Sequence, residues 1–294
     1  MKDNLKNYYN IKALDIKQID DDYIIYDENN IFLLYKIDID DIKYYLNILS
    51  LDIHNYLYKF VINKDMSYIS NINDNKYVLL STNKILNEEI NIEDIKTFNL
   101  NNILIKRKEI DLVDLWSKKL DYLQYQISQF GNDFKDVLNS FSFFIGMGEN
   151  AITFISNNSI NFSNIRMSLS HVRLNYLEKE INFYNPFNIK EDYIIRDGAE
   201  YIKSKLLVSD DLMDDVNKMF KNYNSDEIKL FIARLLFPTL YFDELERIII
   251  DKKESSSINI YIDSINNYLN LIKDIYYEIK KDISIDIPSW IIKN

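Results

Sequence analysis

The chain has 46 acidic residues, two histidines and no cysteine, and these counts limit its side-chain chemistry. Without cysteine there is no thiolate nucleophile, no disulfide and no thiolate zinc site. With His54 and His171 alone, a multi-histidine metal centre is nearly excluded. Gly146-Met147-Gly148 is the single GxG. A dinucleotide or P-loop site needs strand, glycine turn and helix in that order. Here the glycines follow a helical pattern and no third glycine comes after them, so the spacing predicts a corner between two helices. No glycine precedes Gly131, so an N-terminal hairpin cannot carry a glycine-rich loop that brings backbone amides to ATP phosphates. No GxSxG elbow is present for a nucleophilic serine. His171, in Leu169-Ser170-His171-Val172-Arg173-Leu174, stands at the end of a short predicted strand, and a lone histidine is by type more often packed than catalytic. The runs Asp20-Asp21-Asp22, Asp38-Asp40-Asp41, Asp210-Asp211 and Asp214-Asp215 read as solvated faces and helix starts, without the spacing of a calcium loop.

The elements that must position such residues follow from composition and periodicity. A chain of 294 residues, 47% hydrophobic and 28% charged, has an ordinary globular balance and length for one large domain or two modest ones. Its net charge of −11 speaks against a basic nucleic-acid-binding domain. No apolar run approaches the roughly 20 residues that cross a bilayer. The first ten residues lack the apolar core of a signal peptide, so the chain is expected to remain in the cell that makes it.

Residues 1–85 read as a small α+β unit. Tyr23–Tyr26 and Ile31–Ile37 flank a polar turn as a hairpin does. Ile42, Tyr45, Leu46 and Leu49 recur at helical spacing over Asp40–Leu51. Two further runs, Leu57–Ile62 and Lys76–Leu80, read as a second hairpin, and the order predicts a sheet with one face covered by a helix. Residues 86–110 read as a linker and crossover with a short element. Residues 111–294 read as mainly helical. Leu112, Leu115, Trp116, Leu120 and Leu123 form one stripe, further helices run over Asp133–Phe144 and from near Glu149, and Asn224 with Glu227 makes a capping box. Pro238 should break or kink the helix that box opens. Lys252–Ser257 reads as a polar interruption and Ile260–Ile279 as a last long helix.

Several C-terminal segments resemble one family. Ala233-Arg234-Leu235-Leu236-Phe237-Pro238, with Tyr241-Phe242-Asp243 after it, is similar to a signature of YutH-type spore coat-associated proteins. So are Gly148-Glu149-Asn150-Ala151-Ile152, Leu115-Trp116 with Leu120-Asp121 and Leu123, and Arg196-Asp197-Gly198-Ala199-Glu200-Tyr201-Ile202. The family resembles in turn the CotS-type coat proteins and the aminoglycoside or choline phosphotransferases. The resemblance implies an α+β, bilobal protein kinase-like fold, with a small sheet-containing N-lobe and a mainly helical C-lobe, and a role in endospore formation.

Active members of that wider group carry an H-x-D-x-x-x-x-N loop and a later metal-binding aspartate. Against that pattern His171 matches the loop histidine, Arg173 stands where the catalytic aspartate would, and Asn185 falls where the metal aspartate would. Asp197 matches a downstream aspartate that holds the loop region in place, and Lys36 is the counterpart offered for the ATP-binding lysine. Arginine is donor-only and stays charged, so it cannot accept a substrate proton. The resemblance with these departures implies a catalytically inactive, pseudokinase-like coat protein, with no cofactor and no metal. It would act as a scaffold or binding module with other spore coat or sporulation proteins in the mother-cell cytoplasm, and nucleotide binding is left open. The alternative is an active ATP-dependent small-molecule phosphotransferase with a noncanonical site, recruiting Glu178, Glu180, Glu191 or Asp192. Glu149, Asn150, Arg196, Asp197, Arg234 and Pro238 are expected to be structural, with Arg234 held by a carboxylate or by helix-end carbonyls. The 23 tyrosines suit an interface but follow equally from a biased source genome.

Overall fold

A computed structural model describes residues 1–19, 21–82, 88–105, 110–130, 134–251 and 254–293. Asp20, Gly131, Asp133 and Lys252, each named in the expectations above, lie outside the described residues. The chain divides into two compact units. The first holds Met1–Ile90 and Leu177–Lys190, and the second Asn91–Tyr176 and Glu191–Asn294.

The first unit opens with α1 (Lys2–Tyr9), β1 (Asp15–Ile19), β2 (Asp22–Tyr26) and β3 (Ile31–Ile37). It continues through α2 (Lys43–Leu51), β4 (Lys59–Val61), β5 (Ile69–Ile72) and β6 (Asn75–Thr82). The strands make an antiparallel sheet in the order β1-β2-β3-β6-β4, with β5 also on β6. The expected β2–β3 hairpin forms with Tyr26 opposite Ile31. The second hairpin differs from expectation. Its tight turn lies between β5 and β6, where Asn73 and Asp74 both have positive φ (49° and 63°), and β4 pairs further along β6. Two consecutive positive-φ residues give the turn whose twist matches a hairpin.

The expectation of one covered face is also corrected. Side chains alternate along a strand, yet Phe32-Leu33-Leu34 and Val78-Leu79-Leu80 are apolar without interruption. Phe32, Leu34, Tyr77 and Leu79 pack with Leu5 of α1 on one face. Leu33, Val78 and Leu80 pack on the other with Ile42, Tyr45 and Leu46 at α2, and with Ile181, Tyr184 and Phe187 of the returning segment. A continuous apolar strand is one that is buried on both sides.

The second unit holds α3 (Ile92–Asn101), β7 (Ile103–Leu104), α4 (Leu112–Phe130), α5 (Lys135–Asn157) and β8 (Met167–His171). The chain returns to the first unit with the short α6 (Glu180–Phe183) and leaves it along β9 (Ile189–Tyr193), which completes a sheet of order β7-β8-β9. Then follow α7 (Arg196–Lys205), α8 (Met213–Phe220), α9 (Ser225–Leu236), α10 (Thr239–Asp251), α11 (Asn259–Asp263), α12 (Ile265–Ile279) and α13 (Ser289–Lys293). The Asn224–Glu227 capping box opens α9, and the chain breaks at Pro238 as expected. The last long helix is instead two, divided at Ser264.

Gly146 and Gly148 correct a further expectation. They lie inside the single helix α5, not at a corner. Gly148 is a close-approach position, because a Cβ there would sit 2.7 Å from Leu120 Cδ2 of α4. At Gly146 a Cβ would meet no atom within 4 Å. Mid-helix glycine is disfavoured relative to alanine by backbone entropy. Gly146→Ala should therefore stabilise the fold by about 0.5–1 kcal/mol. Denaturant unfolding measures this, and a loss of stability would contradict the continuous helix.

Candidate functional site

All five residues of β8 are buried, and the strand delivers His171 to its end. Asp197 of α7 grips that end twice: Oδ1 accepts from the His171 backbone N–H at 2.8 Å, and Oδ2 lies 2.7 Å from His171 Nδ1. Both side chains are wholly buried. Asp197 sits in the first turn of α7, where the exposed amides favour a carboxylate. Asn99 of α3 donates from Nδ2 to Asp197 Oδ2 (2.9 Å) and to Leu169 O (3.1 Å). A buried histidine and aspartate held this way fix the end of the strand and the start of the loop after it.

The chain beyond His171 is fixed by Arg196. Its Nε donates to His171 O at 2.9 Å and its Nη2 to Val172 O at 2.8 Å, while Nη1 donates to Asp192 Oδ2 at 3.0 Å. Arg234, expected to meet a carboxylate, donates from Nη2 to the other Asp192 oxygen at 2.7 Å. Asp192 is thus committed to two arginines, and all three side chains are buried. Two turns along α7 from Arg196, Lys203 Nζ donates to Glu200 Oε1 (3.0 Å), Phe237 O (3.2 Å) and Thr239 Oγ1 (2.7 Å), bracing the chain on both sides of Pro238.

The protonation of this cluster follows from burial and from an excess of positive neighbours. Burial depresses the Lys203 amine from 10.5 to about 8; Glu200 opposes this, while Arg234 and Arg196 add to it. Burial pushes the Glu200 carboxyl up, but Lys203, Arg196 and Arg234 outweigh it, so the net shift is downward. Burial also lowers Arg234, against the pull of Asp192.

Arg173 lies on the exposed side of the same loop. It pairs bidentately with Asp243 of α10, Nε to Oδ2 at 2.6 Å and Nη2 to Oδ1 at 2.9 Å, and Nη1 donates to Val172 O at 3.0 Å. Asn185, in the first unit, is buried, and its side-chain oxygen accepts from Phe187 N at 3.0 Å to cap the turn Pro186–Asn188. Lys36 pairs with Asp21 at 3.2 Å. It sits opposite Tyr77 in register, on the sheet face of Phe32 and Leu34, whereas Ile181, Tyr184 and Phe187 from the segment of Asn185 pack on the other face. The structure therefore brings His171, Arg196, Asp197 and Arg234 together, and does not bring Lys36 to the face that carries Asn185. Glu149 and Asn150 lie on α5, Glu149 exposed.

Sequence reasoning missed Asn99, Glu200 and Lys203 as parts of the site. For Asn99 a signal existed. Asn91 and Asp94 form a capping box that starts α3, which places Asn99 one turn beyond Ile95 on its buried face.

A family profile described as "Spore coat putative kinase YutH" matches residues 2–280. The chain belongs to the spore coat YutH family. Among solved structures this YutH-family chain is similar to an aminoglycoside phosphotransferase from Alicyclobacillus acidocaldarius, at 10% identity over 92% of this chain and 93% of that one, with a TM-score of 0.66. It is also similar to a spectinomycin phosphotransferase in an AMP-bound complex, at 12% identity over 92% and 96%, with a TM-score of 0.59. The sequence matches none of the curated proteins. The likeness shows the fold: α+β, bilobal and kinase-like, with an antiparallel N-terminal sheet and a mostly helical remainder. Among the described residues no helix is long and apolar enough to cross a membrane.

The residue expected at the metal position does not fit Mg²⁺. Asn185 offers a neutral amide oxygen that already accepts a backbone N–H, and magnesium sites of this kind rely on carboxylates.

Two outcomes follow. Arg234→Ala should cost about 3 kcal/mol, because it strips one partner from a buried carboxylate. Urea unfolding at neutral pH measures it, and an unchanged midpoint contradicts the geometry. For Lys203, the unfolded amine holds its proton between pH 8 and 10 while the folded one releases it. Its linkage term therefore makes stability rise with pH across that window. Lys203→Met should remove that rise, as seen by comparing unfolding free energies of the two proteins at pH 8 and 10.

Proposed function

We propose that this spore coat family member is a catalytically inactive, pseudokinase-like scaffold or binding module. It acts with other coat or sporulation proteins in the mother-cell cytoplasm at the forming coat. The observation that carries the reading is the bidentate Arg173–Asp243 pair. Phosphoryl transfer needs an acceptor for the hydroxyl proton, a carboxylate for metal and a cradle for phosphates. The chain has a donor-only guanidinium where the first is expected, a capped amide where the second is, and an N-terminal hairpin without glycine where the third is. On this reading Lys36 serves no nucleotide, and Glu149, Asn150, Arg196, Asp197, Arg234 and Pro238 serve the fold.

The second reading, an active ATP-dependent small-molecule phosphotransferase, has one observation in its favour: the similar fold of enzymes whose structures hold AMP, or ADP with spectinomycin. It must recruit a carboxylate from elsewhere, and Asp192 is already held by two arginines.

Incubation with labelled ATP, Mg²⁺ or Mn²⁺ and a panel of alcohols, amines and sugars separates the two. The binding reading expects no transfer and no hydrolysis above background. Turnover that disappears when Glu178, Glu191 or another carboxylate is replaced overturns it.

A further inference from the structure

A cavity of about 530 Å³ opens in the second unit beside the loop that follows His171. Its volume is in the range that small-molecule sites occupy. Arg173 and Arg247 line it together with Asp243, Glu244 and Glu246. Counted by sign, these five groups carry a slight negative excess. Their depth reverses what an incoming molecule meets. The side chains of Arg173 and Arg247 are 53% and 58% exposed, while those of Asp243, Glu244 and Glu246 are 24%, 12% and 26% exposed. Each carboxylate is moreover turned to a cation: Asp243 to Arg173, Glu244 to Arg247 at 3.1 Å, and Glu246 to Lys119 at 2.6 Å. The acids form the wall, and the guanidinium groups stand in front of it.

Two of these pairs are mounted on α10. Asp243 and Glu244 are adjacent in α10, so the carboxylates that anchor the Arg173 and Arg247 head groups come from neighbouring positions of one helix. A guanidinium held from behind by a carboxylate has lost much of its rotamer freedom before a ligand arrives, which reduces the entropic cost of binding. Its planar fork matches the oxygens of a carboxylate or phosphate. The remaining lining includes Leu240, Ile250 and Tyr261, an apolar and aromatic wall beside the two arginines.

We propose that this cavity binds a ligand carrying an oxyanion group, carboxylate or phosphate, on an apolar or aromatic body, with the anion between Arg173 and Arg247. The proposal deepens the binding reading, since Arg173 belongs to the same loop, and it is tested without ATP so that each can fail separately.

The probes are phenyl phosphate, benzoate, inorganic phosphate and phenyltrimethylammonium, titrated calorimetrically into the full chain at physiological salt. Both aryl anions should bind saturably, each at least threefold tighter than inorganic phosphate, and the cation should not bind. Arg247→Gln should weaken the aryl anions tenfold or more, and Arg247→Lys by less, because charge is kept and the fork is lost. Arg247 is exposed, so its variants should fold, and circular dichroism confirms that before titration. Comparing phenyl phosphate with benzoate separates a phosphate from a carboxylate ligand, and either preference supports the proposal. No saturable anion binding up to about 10 mM, equal binding of the cation, or affinity unchanged in Arg247→Gln overturns it. If anions do not bind and ATP is not turned over, the cavity proposal alone falls. If ATP is turned over, the inactive reading falls.

Discussion

The Asp192 carboxylate, shared by Arg196 and Arg234, is the interaction on which the second unit's site depends. Burying one carboxylate and two guanidinium groups is costly, and it is tolerated only where geometry and hydrogen bonds compensate. Here each carboxylate oxygen accepts from one arginine, Oδ1 also accepts from the Tyr193 backbone N–H at 2.7 Å, and Arg196 donates from its other two nitrogens to the carbonyls of His171 and Val172. The compensation is incomplete: Arg234 Nε and Glu200 Oε2 are buried without a hydrogen-bond partner. Burial is what chiefly depresses the nearby Lys203 amine, with Arg234 and Arg196 adding to it, while Lys203 and the two arginines overcome burial to lower Glu200.

This arrangement separates the conformation of the loop from its chemistry. Asp197 holds the amide and ring of His171 from one side, and Arg196 holds the next two carbonyls from the other. The loop is thus fixed by groups that are themselves inaccessible, and Arg173 is its exposed charged side chain. A kinase-like fold needs this rigidity whether or not phosphate is transferred. Rigidity together with an arginine at the loop's exposed position suits recognition of an anion better than removal of a proton.

How much could be read in advance varies by residue. The Asn224–Glu227 cap and the break at Pro238 rest on local sequence, and both appear in the structure. Failures came where a long-range partner decides the outcome. Gly146 and Gly148 look like a corner because glycine usually ends helices, but Leu120 from α4 needs the space above Gly148. The sheet of the first unit was expected to have one covered face, yet Phe32-Leu33-Leu34 is apolar at every position, a pattern that already signals two. Lys36 lies on a strand as expected, but register alone determines its face, and register depends on β6, more than forty residues away. Lys203 drew no expectation from the sequence, because its partners Phe237 O and Thr239 Oγ1 come from either side of the Pro238 break.

The amide of His171 reports the central claim most directly, since it donates to Asp197 at the point where Arg196 and Asp192 fix the loop. Its hydrogen exchange can be followed by NMR or mass spectrometry in the native protein and in Asp192→Asn. If the buried carboxylate holds the loop, His171 exchanges in the native protein only as slowly as the core of α9 opens, and Asp192→Asn speeds it by more than the change in global stability accounts for. Rapid exchange at His171 in the native protein, or a rate in Asp192→Asn that tracks global stability alone, would contradict the account.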